Sequence, residues 1–347
     1  MSEQEAKTAR GPWWWIKKIG LAIGVALVVF LLVRAFTVGK QEAGQPPELA
    51  EGEVRLTDQT GKWQYNLNED GTATLRWELG GQTQVTVPAE VDGHKVIALG
   101  DGAFKERSKL TSVTLPEGLE TIGNSAFSGC TELTAIAFPE GLTDIGDSAF
   151  YRCSALTEIT IPDSVTLIGS SAFSNCENLA KLTLSEGLKA IPDSAFTSCK
   201  SLTKVTIPTG VTSIGTAAFS YCTGLRELSL PNSLASIGNE AFTGCKSLGS
   251  VYIPSGVRSI GDSAFFNCSG LVYVEIAEGT ETIGNLAFTN CGNLHHVILP
   301  ASLTRIGDYA FHTYNMIDYK PNMEITFTAP EGSYAEMVCK QYGFNME

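Results

Sequence analysis

Eight of the nine cysteines in this 347-residue chain recur every 23 residues, a regularity that raises the question of disulfides or a metal site. Stacking of identical units by translation would hold neighbouring Cβ atoms about 4.8 Å apart, beyond the usual separation of about 3.5–4.5 Å in a disulfide. A straight row of thiols also does not converge on one point, as tetrahedral zinc requires. The spacing therefore predicts a structural ladder of buried free thiols without a metal. Its members are Cys130, Cys153, Cys176, Cys199, Cys222, Cys245, Cys268 and Cys291.

The four histidines form no catalytic or metal-binding pattern in the sequence. His94, His295, His296 and His312 have no partner at metal-ligand spacing, and no nucleophile–base motif accompanies them. The glycines follow the 23-residue period, so the chain has no glycine-rich phosphate loop. We therefore expect a protein that is not an enzyme, with no cofactor and no small-molecule substrate.

The cysteines belong to a 23-residue repeat that runs through most of the chain. One unit reads A-F-x-x-C-x-x-L-x-x-V-x-I-P-x-x-V-x-x-I-G-x-x. A single unit cannot bury its apolar side chains, whereas stacked units share a continuous core, so the repeat predicts a solenoid. The phenylalanines that mark the units are Phe104, Phe127, Phe150, Phe173, Phe196, Phe219, Phe242, Phe265, Phe288 and Phe311.

Each unit carries signals for one strand and one turn. The V-x-I pair, such as Val205 and Ile207, alternates between buried and outward positions and predicts a short strand, which the following proline ends. An Asp or Asn after the later glycine, such as Asp147, is predicted to N-cap one short helical turn that carries Ala-Phe. The expected fold is a right-handed leucine-rich-repeat solenoid of α/β-type repeats, with its short strands in one parallel sheet.

Both ends of the array depart from the repeat, as capping segments do. Asp70-Gly71 between alternating apolar runs predicts a β-hairpin at the N-terminal end. Near the C-terminus, residues 324–328 are expected to form a last strand. Residues 333–342 are expected to form a short closing helix, with Ser333 as its N-cap and Gly343 past its end.

An apolar segment near the N-terminus, residues 19–38, is predicted to form a transmembrane signal-anchor helix. It carries one charge, Arg34, and at 1.5 Å per residue its length spans about 30 Å, the thickness of a bilayer core. Basic residues and the aromatic run Trp13–Trp15 precede it, so we expect a cytoplasmic N-terminus and an extracytoplasmic repeat domain. A cleaved signal peptide ending near residues 37–39 is the alternative.

The predicted organisation has six segments. They are a cytoplasmic tail (1–18), the transmembrane helix (19–38), a linker (39–52), an N-terminal β cap (53–84), the repeat array (85–314) and a C-terminal cap (315–347).

The net charge of −13 bears on the choice of partner. The first 40 residues hold six basic and two acidic residues, so the remainder is more acidic than the chain as a whole. An acidic body repels phosphate backbones, and we therefore expect no nucleic-acid partner.

The outward strand positions change in character along the array. Early units carry small or polar residues there, such as Thr160 and Thr183, whereas later units carry aromatic and apolar ones. A cluster of such residues is typical of a binding hot spot, and drift of a solvated surface is the other interpretation. The candidate binding face, for a protein or glycan ligand, comprises Tyr252, Tyr273, Glu275, His295, His296, Ile298 and Tyr319.

The repeat core I-G-x-x-A-F-x-x-C-x-x-L, the entry V-P-A-E-V-D-G-H-K-V and the ending G-S-Y-A-E closely resemble the BspA-like leucine-rich-repeat family of bacterial surface proteins. The resemblance covers residues 53–347. It implies a cell-surface or secreted protein used for adhesion and protein–protein contact, and it implies no catalytic residues. We therefore expect a membrane-anchored protein that binds or adheres at the cell surface. A non-adhesive envelope scaffold or assembly subunit that holds a membrane partner is the alternative.

Overall fold

A computed structural model describes residues 54–314 and 319–347, which belong to one compact unit, Glu48–Glu347. The predicted membrane segment, residues 19–38, and its flanks, residues 1–18 and 39–52, lie outside the described residues. Within the part of the chain that is described, no helix has the length and hydrophobicity that crossing a bilayer requires.

The N-terminal end of the unit begins with three antiparallel strands, and the third of them pairs in parallel with the strand His94–Leu99. The second and third strands are joined through the turn at Asp70-Gly71, where Gly71 has a φ of 82°, so the predicted hairpin is confirmed. Trp63 packs its ring edge-on against Phe104, 6.2 Å between centroids, and thereby covers the first phenylalanine of the array. The strands of this region are β1 (Leu56–Thr57), β2 (Trp63–Leu67), β3 (Ala73–Glu78), β4 (Gln84–Thr86), β5 (Glu90–Val91) and β6 (His94–Leu99).

Each 23-residue coil of the array contains two short strands on different sides of the core. The strands of the V-x-I pairs, which we call ladder A, begin with β4. They continue with β7 (Ser112–Thr114), β9 (Ala135–Ile136), β11 (Glu158–Thr160), β13 (Lys181–Thr183), β15 (Lys204–Thr206), β17 (Glu227–Ser229), β19 (Ser250–Ile253), β21 (Tyr273–Ile276) and β23 (His296–Ile298).

The second set of strands, ladder B, lies immediately before the repeated Ile-Gly and starts from β6. It continues with β8 (Thr121–Ile122), β10 (Asp144–Ile145), β12 (Leu167–Ile168), β14 (Ala190–Ile191), β16 (Ser213–Ile214), β18 (Ser236–Ile237), β20 (Ser259–Ile260), β22 (Thr282–Ile283) and β24 (Arg305–Ile306).

Most neighbouring strands within each ladder pair in parallel, and paired residues in successive coils are 23 positions apart, as for Ser236 and Ser259 or Ser250 and Tyr273. Strand pairing is interrupted after β9, β13 and β17 in ladder A and after β12 in ladder B. The predicted solenoid of stacked coils is confirmed, but the prediction of a single parallel sheet is wrong. Each ladder B strand within the repeats has only two residues, too few to show a period-two pattern in the sequence.

The Ala-Phe segment is a series of tight turns, so the predicted helical turn is wrong. The Phe127 N–H donates to the Ala149 oxygen of the next coil at 2.7 Å, whereas the Ser128 N–H donates to the Ser125 oxygen of its own coil at 3.0 Å. Ser125 has a φ of 54°, in the left-handed region, which a helical turn does not allow. Alternate amides therefore bond within a coil and between coils.

The sequence predicts that the Asp or Asn after the glycine N-caps a helical turn, and this prediction is wrong. Instead, the Asn124 side-chain oxygen accepts the backbone N–H of Asp147 at 2.8 Å, and Asp147 in turn accepts that of Ser170 at 2.7 Å. Each of these side chains therefore links its coil to the equivalent position of the next.

The centre of the array is a column of stacked phenylalanine rings. From Phe104 to Phe311 the ring centroids are 5.0–5.5 Å apart and the rings are within 11° of parallel. All ten rings are at most 3% exposed. Dispersion contacts between these rings and the neighbouring Leu, Ile and Cys columns form one continuous core.

The C-terminal cap extends ladder A and then closes it with a helix. Its elements are β25 (His312–Tyr314), β26 (Tyr319–Pro321), β27 (Thr326–Thr328), α1 (Tyr334–Tyr342) and β28 (Asn345–Met346). The closing helix is confirmed: the Ser333 hydroxyl accepts the Glu336 N–H, and Gly343, at a φ of 74°, ends the helix. β27 pairs with β23 and β28 pairs with β27, both in parallel.

Candidate binding face

The candidate residues from the last three coils lie on the outward surface of ladder A. Strands β19, β21, β23, β27 and β28 form one continuous five-stranded sheet. Across it, Tyr273 is paired with His296, and Glu275 is paired with Tyr252 on one side and Ile298 on the other. These pairings place the side chains in two adjacent rows across the strands. One row holds Tyr273 and His296, and the other holds Tyr252, Glu275 and Ile298.

Tyr273 is the centre of the contacts on this face. Its ring stacks on that of His296, with centroids 5.6 Å apart and planes 1° from parallel. Its hydroxyl donates to Oε2 of Glu275 at 2.9 Å, and this hydrogen bond, followed by partial burial, raises the pKa of Tyr273. His296 Nδ1 lies 3.7 Å from the Glu347 carboxylate. The neighbours of Tyr273 therefore hold it in one orientation.

Exposed apolar area surrounds this centre. Tyr252 is 51% exposed and Val272 is 46% exposed. Val272 was absent from the sequence prediction because it precedes its strand and does not belong to the alternating pair. Its 23-residue equivalence to His295, which is also exposed, was the available signal. Val272 and His295 therefore widen the face beyond the two strand rows.

Tyr319 does not belong to this face, contrary to the prediction. Thr326, rather than Tyr319, is the strand residue paired with His296. Tyr319 lies in β26 and stacks between Tyr309 and Tyr314, with ring centroids 4.7 Å from each. The hairpin of β25 and β26 displaces the register by which the sequence pattern had placed Tyr319.

The same surface is polar in the preceding coils. Glu158 pairs with Lys181 at 3.4 Å, and Lys204 pairs with Glu227 at 3.0 Å. These charges are neutralised within the array, so the surface changes from ion-paired and polar to aromatic and apolar at β19.

The cysteine ladder lies in the core, away from this surface. Its eight side chains are at most 2% exposed, and each thiol donates to the carbonyl oxygen of the phenylalanine one coil earlier, at 3.1–3.4 Å. Burial raises the pKa of Cys130, Cys176, Cys222 and Cys268 to about 12. Cys339, in the closing helix, is also buried and its pKa is likewise raised to about 12.

Residues that could hold a metal ion are not grouped in the described structure: residues 54–314 and 319–347 contain no cluster of three or more His, Cys, Asp or Glu suited to one. His94 Nδ1 donates a hydrogen bond to the Gly71 carbonyl oxygen, 2.9 Å away, in the N-terminal cap. His312 is buried beneath the closing helix. The four histidines are thus distributed over the cap, the candidate face and the C-terminal end.

Comparison with known proteins agrees with this architecture. The family model for the BspA type leucine-rich-repeat region, in six copies, matches residues 97–226 and 189–318, together more than half of the chain. No curated protein matches the chain.

Several solved structures are similar. A leucine-rich cell surface protein of Faecalibacterium prausnitzii A2-165 is 27% identical over 81% of this chain and 84% of its own, with a TM-score of 0.52. A leucine-rich-repeat protein of Bacteroides ovatus is 24% identical over 82% of this chain and 96% of its own, with a TM-score of 0.46. One of Bacteroides capillosus is 35% identical over 38% of this chain and 98% of its own, with a TM-score of 0.34. With its matched repeats and its stacked parallel coils, the chain belongs to the BspA-type leucine-rich-repeat family.

Proposed function

We propose that this chain is an extracytoplasmic binding protein, anchored in the cell membrane by residues 19–38, that holds a protein partner on the outward surface of ladder A in its last three coils. The observation that carries the proposal is the placement of Tyr252, Tyr273 and Ile298 on one five-stranded sheet, with the exposed Val272 immediately before the strand of Tyr273. The match to a leucine-rich-repeat family, whose members generally bind proteins or act as scaffolds, supports a binding role.

The composition of the surface suits a protein partner. Tyrosine is enriched in binding hot spots because its ring supplies a large contact area with little loss of side-chain freedom. Tyr273 is already held by His296 and Glu275, so ordering it on binding costs little entropy. A glycan that stacks on the same rings is the other ligand class, and the crosslinking experiment below distinguishes the two by the product that it yields.

The anchor and the linker bear on the location of the partner. Residues 39–52 reach no more than about 40–50 Å when extended, which favours a partner in or near the same envelope. A scaffold or assembly subunit that holds a membrane protein is therefore the second candidate function. The similar protein of Faecalibacterium prausnitzii is described as a cell surface protein, which supports an extracytoplasmic location.

The membrane anchor can be tested by the mass of the native protein. An uncleaved chain that begins at or near residue 1 is expected, and it should partition with membranes. A mature chain that begins near Lys40 would contradict the anchor and support the cleaved signal peptide.

Photocrosslinking tests the binding face. The full-length chain, with p-benzoylphenylalanine in place of Tyr252, is expected to form a specific protein adduct in the producing cells. The matched control carries the same residue in place of Thr183, which is exposed at the equivalent position three coils earlier. Adducts of equal yield at both positions, or none at position 252, would contradict the proposal; a glycan adduct at position 252 would change the ligand class.

A substitution then tests the contribution of the aromatic side chains. The double variant Tyr252→Ser/Tyr273→Ser should lose most binding of the adduct protein, once this is purified, while its thermal unfolding midpoint stays close to that of the wild type. The control Thr160→Ser/Thr183→Ser should bind normally. Unchanged binding by the tyrosine variant would refute the role of these rings.

A further inference from the structure

Glutamates on the outward surface of ladder A form ion pairs with lysines of adjacent coils, with the exception of Glu275. Glu158 and Glu227 each pair with a lysine in an adjacent coil. Glu275 occupies the same surface, but among the described residues it forms no ion pair with lysine or arginine. In its own sheet the residues beside it are Tyr252 and Ile298.

The surroundings of Glu275 leave its carboxylate available for a further donor. Tyr273 donates to Oε2, and a carboxylate has about four acceptor positions in all. The neighbouring side chains in the row are an aromatic ring and an aliphatic chain, which supply no compensating charge. A carboxylate in such a setting attracts an external cation more strongly than one already paired within the array.

We propose that Glu275 binds an arginine side chain of the protein partner, with the guanidinium group lying against the ring of Tyr252. This inference rests on the proposed function and specifies the chemistry of the partner. Arginine suits the geometry better than lysine because its planar group donates two parallel hydrogen bonds to a carboxylate and stacks on an aromatic face. The ring of Tyr252 is free to receive it, since half of that side chain is exposed.

Ile298, on the other side of Glu275, strengthens the proposed ion pair between Glu275 and the arginine of the partner. Apolar groups on either side of the carboxylate exclude water once the partner is in place, and an ion pair is worth more where water is excluded. Glu158 and Glu227 lack this setting, because exposed lysines are their neighbours.

Binding of a synthetic peptide array to the purified full-length chain tests the inference. Each peptide has an apolar sequence with one central residue, either arginine, citrulline, lysine or glutamate. Citrulline has the size and the planar end group of arginine without its charge. The wild-type chain should retain the arginine peptides about tenfold more than their citrulline equivalents, as expected for a hydrogen bond to a charged group. Glu275→Gln should reduce this ratio to near one.

Two matched variants distinguish the contact between Glu275 and arginine from a general effect of negative charge on the surface. Glu158→Gln removes the same charge from an ion-paired position of the same surface, and it should leave the ratio unchanged. Tyr252→Leu keeps apolar area but removes the aromatic face, and it should lower the ratio in part. Equal retention of arginine and citrulline peptides by the wild type, including retention of neither, or a ratio that survives Glu275→Gln, would overturn the inference. A lysine preference over arginine would also overturn it.

The two proposals fail in different ways. If photocrosslinking at position 252 yields a protein adduct but the arginine preference is absent, the binding face stands and the arginine contact does not. If no adduct forms at position 252, the binding face itself is refuted.

Discussion

The thiol of Cys222 donates a hydrogen bond of 3.2 Å to the carbonyl oxygen of Phe196, one coil earlier in the array. The same oxygen accepts the backbone N–H of Cys199 at 3.3 Å. Because the thiol contact recurs at the other seven positions of the ladder, each cysteine supplies a second hydrogen bond to a buried carbonyl oxygen as well as filling space. Serine would offer a hydroxyl donor there, but burying a hydroxyl group costs more free energy than burying a thiol.

The burial of these thiols predicts that they react slowly. With a pKa of about 12 for Cys222, almost none of its thiol is ionised at neutral pH, and the thiolate is the reactive form. We expect iodoacetamide to leave the ladder unmodified in the native chain and to modify it fully in denaturant, as followed by intact mass. Rapid native alkylation, or masses that indicate disulfides, would refute this prediction.

A buried ion pair is expected to stabilise the junction between the N-terminal cap and the array. Arg107 Nη1 lies 2.6 Å from Glu78 Oε2, and both side chains are at most 10% exposed. Arg107→Gln leaves a buried carboxylate without its cation and should destabilise the cap by about 3–5 kcal/mol. Hydrogen exchange of the amides in β2 and β3 measures this.

The exposed pair of Lys181 and Glu158 supplies the control for that variant. Lys181→Gln should change stability by less than about 1 kcal/mol, because solvent screens the pair. Equal effects of the two substitutions would show that burial does not strengthen the Arg107 contact.

Gly279 is expected to tolerate no side chain. Its φ of 109° lies in a region that strains other residues, and an added Cβ would also press against the carbonyl oxygen of Ser255 in the preceding coil. Gly279→Ala should therefore destabilise the array by at least about 1–3 kcal/mol in urea unfolding. Gly292→Ala is the control, since nothing lies within 4 Å of its added Cβ, and a change of more than about 0.5 kcal/mol there would contradict the argument.

The stability of the C-terminal cap should fall in acid because of His312. This side chain is 6% exposed, Nδ1 has no hydrogen-bond partner among the described residues, and burial lowers its pKa. The ionisable groups around it, Tyr309, Tyr342 and Cys339, include no carboxylate and no basic side chain. A depressed folded pKa means that the unfolded chain takes up the proton first, so stability is complete above about pH 6.5 and decreases as pH falls below it.

His312→Phe provides the comparison, because Phe266 occupies the same repeat position two coils earlier. Thermal unfolding midpoints followed between about pH 5 and pH 8 should fall less in the variant than in the wild type. An identical pH profile for the two chains would show that His312 makes no contribution.

Much of the fold could be predicted because its determinants are local or strictly periodic. Because Phe recurs every 23 residues, stacking of the units places each phenylalanine against those of the neighbouring coils. Ser333 and Gly343 mark the closing helix through hydrogen bonds made within a few residues. The candidate face was predicted in part for the same reason: Tyr252, Tyr273 and His296 follow the repeat.

The remaining features depend on contacts between coils. Thr121–Ile122 is a strand because its backbone pairs with neighbouring coils, and two residues carry no pattern of their own. Ser125 adopts a left-handed turn because alternate amides there bond to the next coil. Tyr319 lies outside the predicted face because it belongs to the hairpin of β25 and β26, which uses residues that the repeat would have placed in the next strand.

The sequence by itself thus determined that the chain stacks, which columns are buried and where the closing helix begins, since apolar periodicity and capping act over short distances. Only the tertiary structure decided that each coil has two strands, that the thiols bond to phenylalanine carbonyls, and that Glu275 lies between Tyr252 and Ile298 without a basic partner among the described residues. These features arise from hydrogen bonds and register between residues 23 or 26 positions apart, where stacking brings backbones together.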